Sequence, residues 1–261
     1  MPNIEILYSE ITECLIDVLN QFPNQCTDKI IANVRQRTSN IDHAKQDLIP
    51  YYTSHCFDGN AEQARLLTMW WMLFLTVVNF ADDIQDHSEP HINAVLTCFG
   101  VISQIKAQMS NQFGVVDDID DAFSRTLIFG AQAQDFETRS GLVWSRREYL
   151  DYVMRKTATF FGAGIWSGGR LAGADACVLN DLRQFGLALG FSWQLGDDYT
   201  DVQDDLRNNV ITLPVIEARQ MVEHVDHPSL TRLLTNPSKN GEQIEKTVKE
   251  MGGFERCDRL I

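Results

Sequence analysis

With 261 residues, 44% of them hydrophobic and 22% charged, the chain has material for a large core and lacks the composition of a disordered or fibrous protein. Its 36 acidic residues against 22 basic ones give a formal charge of -14. That balance argues against a nucleic-acid partner and means that an anionic substrate needs a bridging cation. Six dispersed cysteines without a CxxC pair argue against a disulfide framework and for a reducing, cytoplasmic location, and the opening MPNIEILYSE lacks the layout of a secretory signal.

Apolar positions at helical spacing (Ile4, Leu7, Ile11, Leu15, Val18) predict an amphipathic helix over 1–22, closed by Pro23 and Asn24. From Asn60 an almost continuously apolar helix runs through Trp70, Trp71, Phe74 and Phe80. Its apolar stretch, Leu66 to Ala81, falls short of the roughly 20 residues that span a bilayer and runs into Asp82 and Asp83, so it reads as a buried core helix. After Pro90 a helix is expected over 94–109, and another after the Gly114 loop, taking in Gln132 and Asp135. Ser145 with Glu148 is a capping-box pattern, starting a helix that continues through Lys156 towards Leu171, where Gly162, Gly164, Gly168 and Gly169 allow close packing. Gly173 to Asp175 forms a turn, and Leu179 to Asp201 reads as a second buried helix. The elements predict an all-α fold, and with no repeat or low-complexity segment a single domain over 1–261 is the economical organisation.

Three DDxxD patterns occur, at Asp82/Asp83/Asp86, Asp117/Asp118/Asp121 and Asp197/Asp198/Asp201. On a helix the first and last carboxylates lie one turn apart, repel by about 0.2–0.5 kcal/mol when exposed, and so call for a cation. Magnesium suits them, being held by one or two carboxylates together with waters and substrate phosphates. The Asp117 copy follows a loop without an apolar lead and reads as a solvated turn or the acidic first turn of a helix. The other two end apolar helices, with Gln194 one turn before Asp198. Two such helix ends facing one pocket would chelate magnesium around one diphosphate.

In four segments, the stretch from about Asn60 to Ala218 resembles the trans-isoprenyl diphosphate synthase family of the class I terpenoid synthase superfamily. The segments are FADDIQDH, AQAQD, RKTATFFGAGIWSGGRLAGAD and GFSWQLGDDYTDVQDDLRNNVITLPVIEA, in the family's order and spacing. The resemblance implies an all-helical bundle around a deep apolar pocket, and a homodimer. It implies that Asp82, Asp83, Asp86, Asp197, Asp198 and Asp201 serve catalysis, with Asp82, Asp86, Asp197 and Asp201 holding magnesium, about three ions. Lys156 would contact the allylic diphosphate, and Thr157, Gln194, Gln132 and Asp135 would support it. Pyrophosphate would leave an allylic cation among aromatic side chains, with Phe80 and Phe160 among the candidates.

Chain-elongating members carry a GKxxRP element upstream and an RRG element after the first cluster. Here those places read HAKQDLIPYY and HSEPHI, and the GK before TLP is replaced by Asn209 and Val210, with Arg207 as a candidate substitute. The expectation is therefore magnesium-dependent ionisation of an allylic prenyl diphosphate followed by cyclisation, or by transfer to an acceptor other than isopentenyl diphosphate. The alternatives are chain elongation or head-to-head condensation, and a noncatalytic subunit of a prenyl synthase heteromer. The family continues beyond GGFERCDRLI, which suggests a shortened C-terminus. His224 and His227 flank Pro228 without a further ligand pair and read as surface groups, and Arg170 reads as a helix C-terminal cap.

Overall fold

A computed structural model describes residues 3–87, 91–110, 115–129, 145–222 and 228–259, and among them every regular element is helical. In chain order these are α1 (Ile4–Asn20), α2 (Gln25–Thr38), α3 (Ile41–Asp47), α4 (Ile49–Cys56), α5 (Ala61–His87), α6 (Ile92–Ser110), α7 (Val116–Phe129) and α8 (Arg146–Val153). A π-helical segment (Met154–Ala158) leads into α9 (Thr159–Leu171). There follow α10 (Ala176–Thr200), α11 (Val202–Arg207), α12 (Leu213–Val222), α13 (Pro228–Leu233), α14 (Pro237–Glu250) and α15 (Gly253–Cys257). The chain divides into two compact units, one of residues 1–128 and 160–186, the other of residues 129–159 and 187–261.

Asparagine starts several helices of the first unit. The side chains of Asn3, Asn24, Asn40 and Asn60 accept hydrogen bonds from backbone N–H groups two or three residues on, satisfying donors that the first helical turn leaves open. The long apolar run of α5 is a core helix: Trp70, Trp71, Met72, Leu73 and Phe74 are all buried. Its apolar part extends to Ala61–Ala81, 21 residues and so long enough by length and composition to cross a membrane, and most of it is buried inside the protein. Around it Phe123 stands edge-on to Trp70 at 5.1 Å between ring centroids, and Phe74 lies 5.4 Å from Phe160.

The glycines of α9 act through their missing side chains. A Cβ at Gly168 would lie 2.5 Å from the Pro50 carbonyl oxygen, and one at Gly164 3.0 Å from the Trp71 ring. A Cβ at Gly186 on α10 would meet the Gly162 Cα and the Phe161 carbonyl oxygen, each at 2.7 Å, and both are backbone atoms that cannot swing aside. Gly186→Ala is therefore expected to destabilise the protein by about 1–3 kcal/mol through overpacking, read as a lowered midpoint in urea. An unchanged midpoint would contradict the close approach of these two helices.

A buried polar network ties the first unit's N-terminal helices together. The Tyr8 hydroxyl donates to Asp47 Oδ2, Arg37 Nε donates to Asp47 Oδ1 at 2.8 Å, and Arg37 Nη2 donates to Gln46 Oε1 at 2.9 Å. The Trp71 indole N–H adds a bond to the Gln46 carbonyl oxygen at 3.0 Å. Asp47 is fully buried. The acidic first turn of α7, expected to be structural, has Asp118 bonded to Arg170 at 2.6 Å, Asp121 to Arg125 at 2.7 Å and Asp120 to Lys106 at 2.5 Å. Arg170 stands in the last turn of α9, as a cap would, and its guanidinium binds this carboxylate.

In the second unit, Leu195, Leu206, Leu213, Ile216, Ile244 and Val248 form the core with Tyr149, Tyr152 and Phe254. The expected capping box starts α8: Ser145 Oγ accepts from the Glu148 backbone N–H, and the Glu148 carboxylate accepts from that of Ser145. The expected continuous α-helix from Ser145 to Leu171 is interrupted by the π segment, whose wider turn carries Lys156 and Thr157. Glu217, fully buried on α12, is flanked by Arg146 Nε at 3.1 Å and Arg256 Nε at 3.4 Å.

Candidate active site

The last turn of α10 carries Asp197 and Asp198, and Asp201 follows as the residue between α10 and α11. Consecutive helical residues point about 100° apart whereas residues four apart share a face, so the motif splits into two environments. Asp197 and Asp201 are exposed on one face, and Asp198, with 2% of its surface accessible, turns into the core. The helix ends at Asp201, whose backbone N–H still donates to the Asp197 carbonyl oxygen at 2.9 Å, and α11 restarts one residue later.

Asp198 is held by three donors. The Tyr149 hydroxyl donates to Oδ2 at 2.6 Å, Gln194 Nε2 to Oδ1 at 3.0 Å, and the Leu213 backbone N–H also bonds to the carboxylate. Gln194 in turn accepts from the Thr157 hydroxyl at 2.6 Å, so the acidic helix is joined by hydrogen bonds to the π segment. Next to Thr157, the Lys156 ammonium lies over the Tyr152 ring, 5.7 Å from its centroid. One chain of hydrogen bonds thus runs from Thr157, the residue after Lys156, through Gln194 to Asp198 of the acidic cluster.

Burial raises the affinity of these carboxyls for protons. Desolvation pushes Asp198 up to about 6 against the pull of its donors. Asp205 on α11 is pushed up to about 7, by burial first and then by the charge of Asp198. Asp197 is raised by burial and by the negative charge of Asp201, with the Trp193 indole N–H acting the other way. Each therefore binds its proton more tightly folded than unfolded. Between the ordinary value of 3.8 and the folded values of about 6 and 7, the folded state carries more protons, and stability falls as pH rises. Asp42 and Glu148 shift the opposite way but are fully exposed and screened. Metal-free protein is accordingly expected to melt at a higher temperature at pH 5 than at pH 7.5, each kcal/mol being worth about 2–4 °C. A fall on acidification across that window would contradict the assignment.

The mutual repulsion of Asp197 and Asp201 fits a bound divalent cation, two carboxylates one turn apart being the donor set that magnesium takes when phosphate and water complete its shell. Among the described residues no three His, Cys, Asp or Glu side chains form a ready-made metal site. Arg207 pairs with Asp204 within α11, just ahead of an exposed turn. That turn closes with Asn209 at φ 58°, its N–H donating to the Leu206 carbonyl oxygen while the Val210 N–H donates to that of Asp205. Asparagine tolerates this left-handed conformation, so Asn209 ends the helix as a glycine would. Phe80 is buried with its ring 5.0 Å from that of His91, and Phe160 belongs to the aromatic core around Phe74. The backbone of Asp82, Asp83 and Asp86 is helical, in the last turns of α5, and their side chains lie outside the described residues. Gln132, Asp135, His224 and His227 also lie outside them.

Sequence reasoning missed Tyr149 and Asp205. Tyr149 directly follows the capping-box glutamate at an apolar-periodic position, which marks it as core without revealing where its hydroxyl goes. Asp205 falls four residues after Asp201, a spacing that continues the acidic face into the next helix.

The polyprenyl synthetase family model matches residues 48–251, a span that takes in α5, α8, α9 and α10. The chain belongs to the polyprenyl synthetase family. It is 28% identical over 137 residues to a geranylgeranyl diphosphate synthase of Sulfolobus acidocaldarius, covering 48% of this chain and 42% of that protein. It is 30% identical over 118 residues to heptaprenyl diphosphate synthase component 2 of Bacillus subtilis, covering 40% and 32%. The aligned stretches thus span less than half the length of these relatives. Among solved structures, a geranylgeranyl pyrophosphate synthetase of Pyrococcus horikoshii matches at a TM-score of 0.77 and 18% identity, over 98% of this chain and 86% of its own. A polyprenyl synthase of Caulobacter crescentus, complexed with calcium and isoprenyl diphosphate, matches at 0.72 and 18% identity, over 98% and 87%. These similarities establish that the chain has the all-helical fold of those proteins.

Proposed function

We propose that this chain is a prenyltransferase that ionises an allylic prenyl diphosphate with the help of divalent metal and joins the resulting cation to an acceptor. The observation that carries the reading is the split cluster: Asp197 and Asp201 stand exposed, while Asp198 is anchored through Gln194 to Thr157, the residue that follows Lys156. Magnesium, held by Asp197 and Asp201 and by Asp82 and Asp86 of the first cluster, would neutralise the departing diphosphate. Lys156 adds a positive charge against the leaving group, which a protein of charge -14 has few means to supply elsewhere. The whole chain would work as one catalytic domain. The exposed apolar stripe Ile92, Leu96 and Phe99 on α6 supports a homodimer.

The relatives matched in sequence are named as diphosphate synthases, which favours isopentenyl diphosphate as acceptor and chain elongation as the outcome, over the non-elongating outcome expected from the motifs. Cyclisation, or transfer to another acceptor, keeps one specific support. In the stretch where the GKxxRP element would lie, Lys45 is paired with Asp42 at 2.7 Å, and the nearby Arg37 is committed to the buried Asp47. Incubation with geranyl, farnesyl or geranylgeranyl diphosphate and magnesium, with and without labelled isopentenyl diphosphate, separates the two by product mass. Elongation predicts labelled diphosphates longer by one or more isoprene units, and cyclisation predicts unlabelled hydrocarbon or alcohol. Release of no pyrophosphate under any condition would overturn the proposal.

A further inference from the structure

Within the second unit, Tyr149 precedes the π-helical turn and Thr157 lies within it, and both are bonded to α10 through residues one turn apart, Asp198 and Gln194. The direction of each bond follows from what each group can do. An ionised carboxylate only accepts, so the Gln194 end that faces Asp198 at 3.0 Å must be its NH2 group. Its carbonyl oxygen then faces Thr157, and since that oxygen only accepts, the Thr157 hydroxyl must donate, at 2.6 Å. The hydroxyl hydrogen of Thr157 is thereby committed, and its oxygen keeps its lone pairs for another partner.

From this geometry we infer that Tyr149 is a positioning residue: by donating to Asp198 it sets which end of the Gln194 amide faces Thr157, and so the direction in which the Thr157 hydroxyl points. This deepens the reading of the site as one that ionises an allylic diphosphate, and rests on it. Tyr149 is suited to the task because it is a fixed donor. Its phenol is buried beside a carboxylate, which keeps it protonated, and α8 is anchored just before it by the Ser145 and Glu148 capping box. With its hydrogen committed to Gln194, the Thr157 oxygen can favour positive charge on the ionising carbon, while contact with the diphosphate falls to Lys156.

The test is pyrophosphate release from farnesyl diphosphate by the full chain. Tyr149→Phe and Thr157→Val are each expected to lower kcat about 10- to 100-fold with KM within about twofold, and the double variant to fall no further than the worse single one. Thr157→Ser, which keeps the hydroxyl, should recover most of what Thr157→Val loses. Unchanged kcat in Tyr149→Phe, additive losses, or no recovery with serine would overturn the inference. A second measurement needs no turnover. In protein labelled with 15N, the side-chain amide protons of Gln194 should be protected from solvent exchange and lose about tenfold or more of that protection in Tyr149→Phe, and equal exchange in the two proteins would overturn the relay. If the wild-type protein releases no pyrophosphate while the exchange result holds, the functional reading fails and the relay stands.

Discussion

Asp201→Ala is expected to lower the rate of pyrophosphate release about 10²- to 10³-fold, the loss that follows removal of one preorganised electrostatic partner of a developing charge. Asp197, near the end of α10, and Asp201, just beyond it, are both exposed, and the charge of Asp201 already raises the proton affinity of Asp197. Taking away one carboxylate relieves that repulsion, so the variant should be at least as stable as the wild type without metal and should lose the stabilisation that magnesium brings. The internal control is the pattern at Asp117, Asp118 and Asp121, which has the same residue spacing. There Asp121 is occupied by Arg125 and Asp118 by Arg170. Asp121→Ala should leave the rate within about twofold and stability within about 0.5 kcal/mol, as for an exposed i,i+4 pair. Equal losses at Asp121 and Asp201 would mean that context does not distinguish the clusters.

Asp47→Ala is expected to cost about 3–5 kcal/mol of stability, the usual penalty for removing one partner of a buried ion pair. Asp47 is fully buried and receives both Arg37 Nε and the Tyr8 hydroxyl, so its loss strands a guanidinium and a phenol within the junction of α1, α2 and α3. Tyr8→Phe removes one neutral donor and should cost less, about 1–3 kcal/mol. Urea unfolding of the two variants would show the ordering, and an Asp47→Ala midpoint equal to that of the wild type would contradict the network.

Signals that act within one or two helical turns were legible in the sequence. The apolar run after Asn60, the capping box at Ser145, and the acidic first turn at Asp117 and Asp118 all stand where their residues imply. The π segment was not legible, because the extra residue in its turn is demanded by where Thr157 must reach and not by any local propensity of Met154 to Ala158. The different environments of Asp197 and Asp198 follow from the 100° between neighbours, but which of the two turns inward depends on Tyr149, 49 residues away in the chain. Asp205 was missed for a similar reason: its perturbation arises from burial and from Asp198, neither of which the spacing alone reveals. The division into two units also lies beyond sequence pattern, since each unit draws on two separate stretches of chain.

The function proposed for this chain requires that both aspartate clusters hold divalent metal on a single diphosphate. Crystals grown with manganese and pyrophosphate, measured for anomalous scattering, test it most directly. Metal peaks against the carboxylates of Asp82 and Asp86 and of Asp197 and Asp201, in contact with the same pyrophosphate, are the predicted result. Peaks at one cluster alone, or at neither while pyrophosphate is bound, would contradict it.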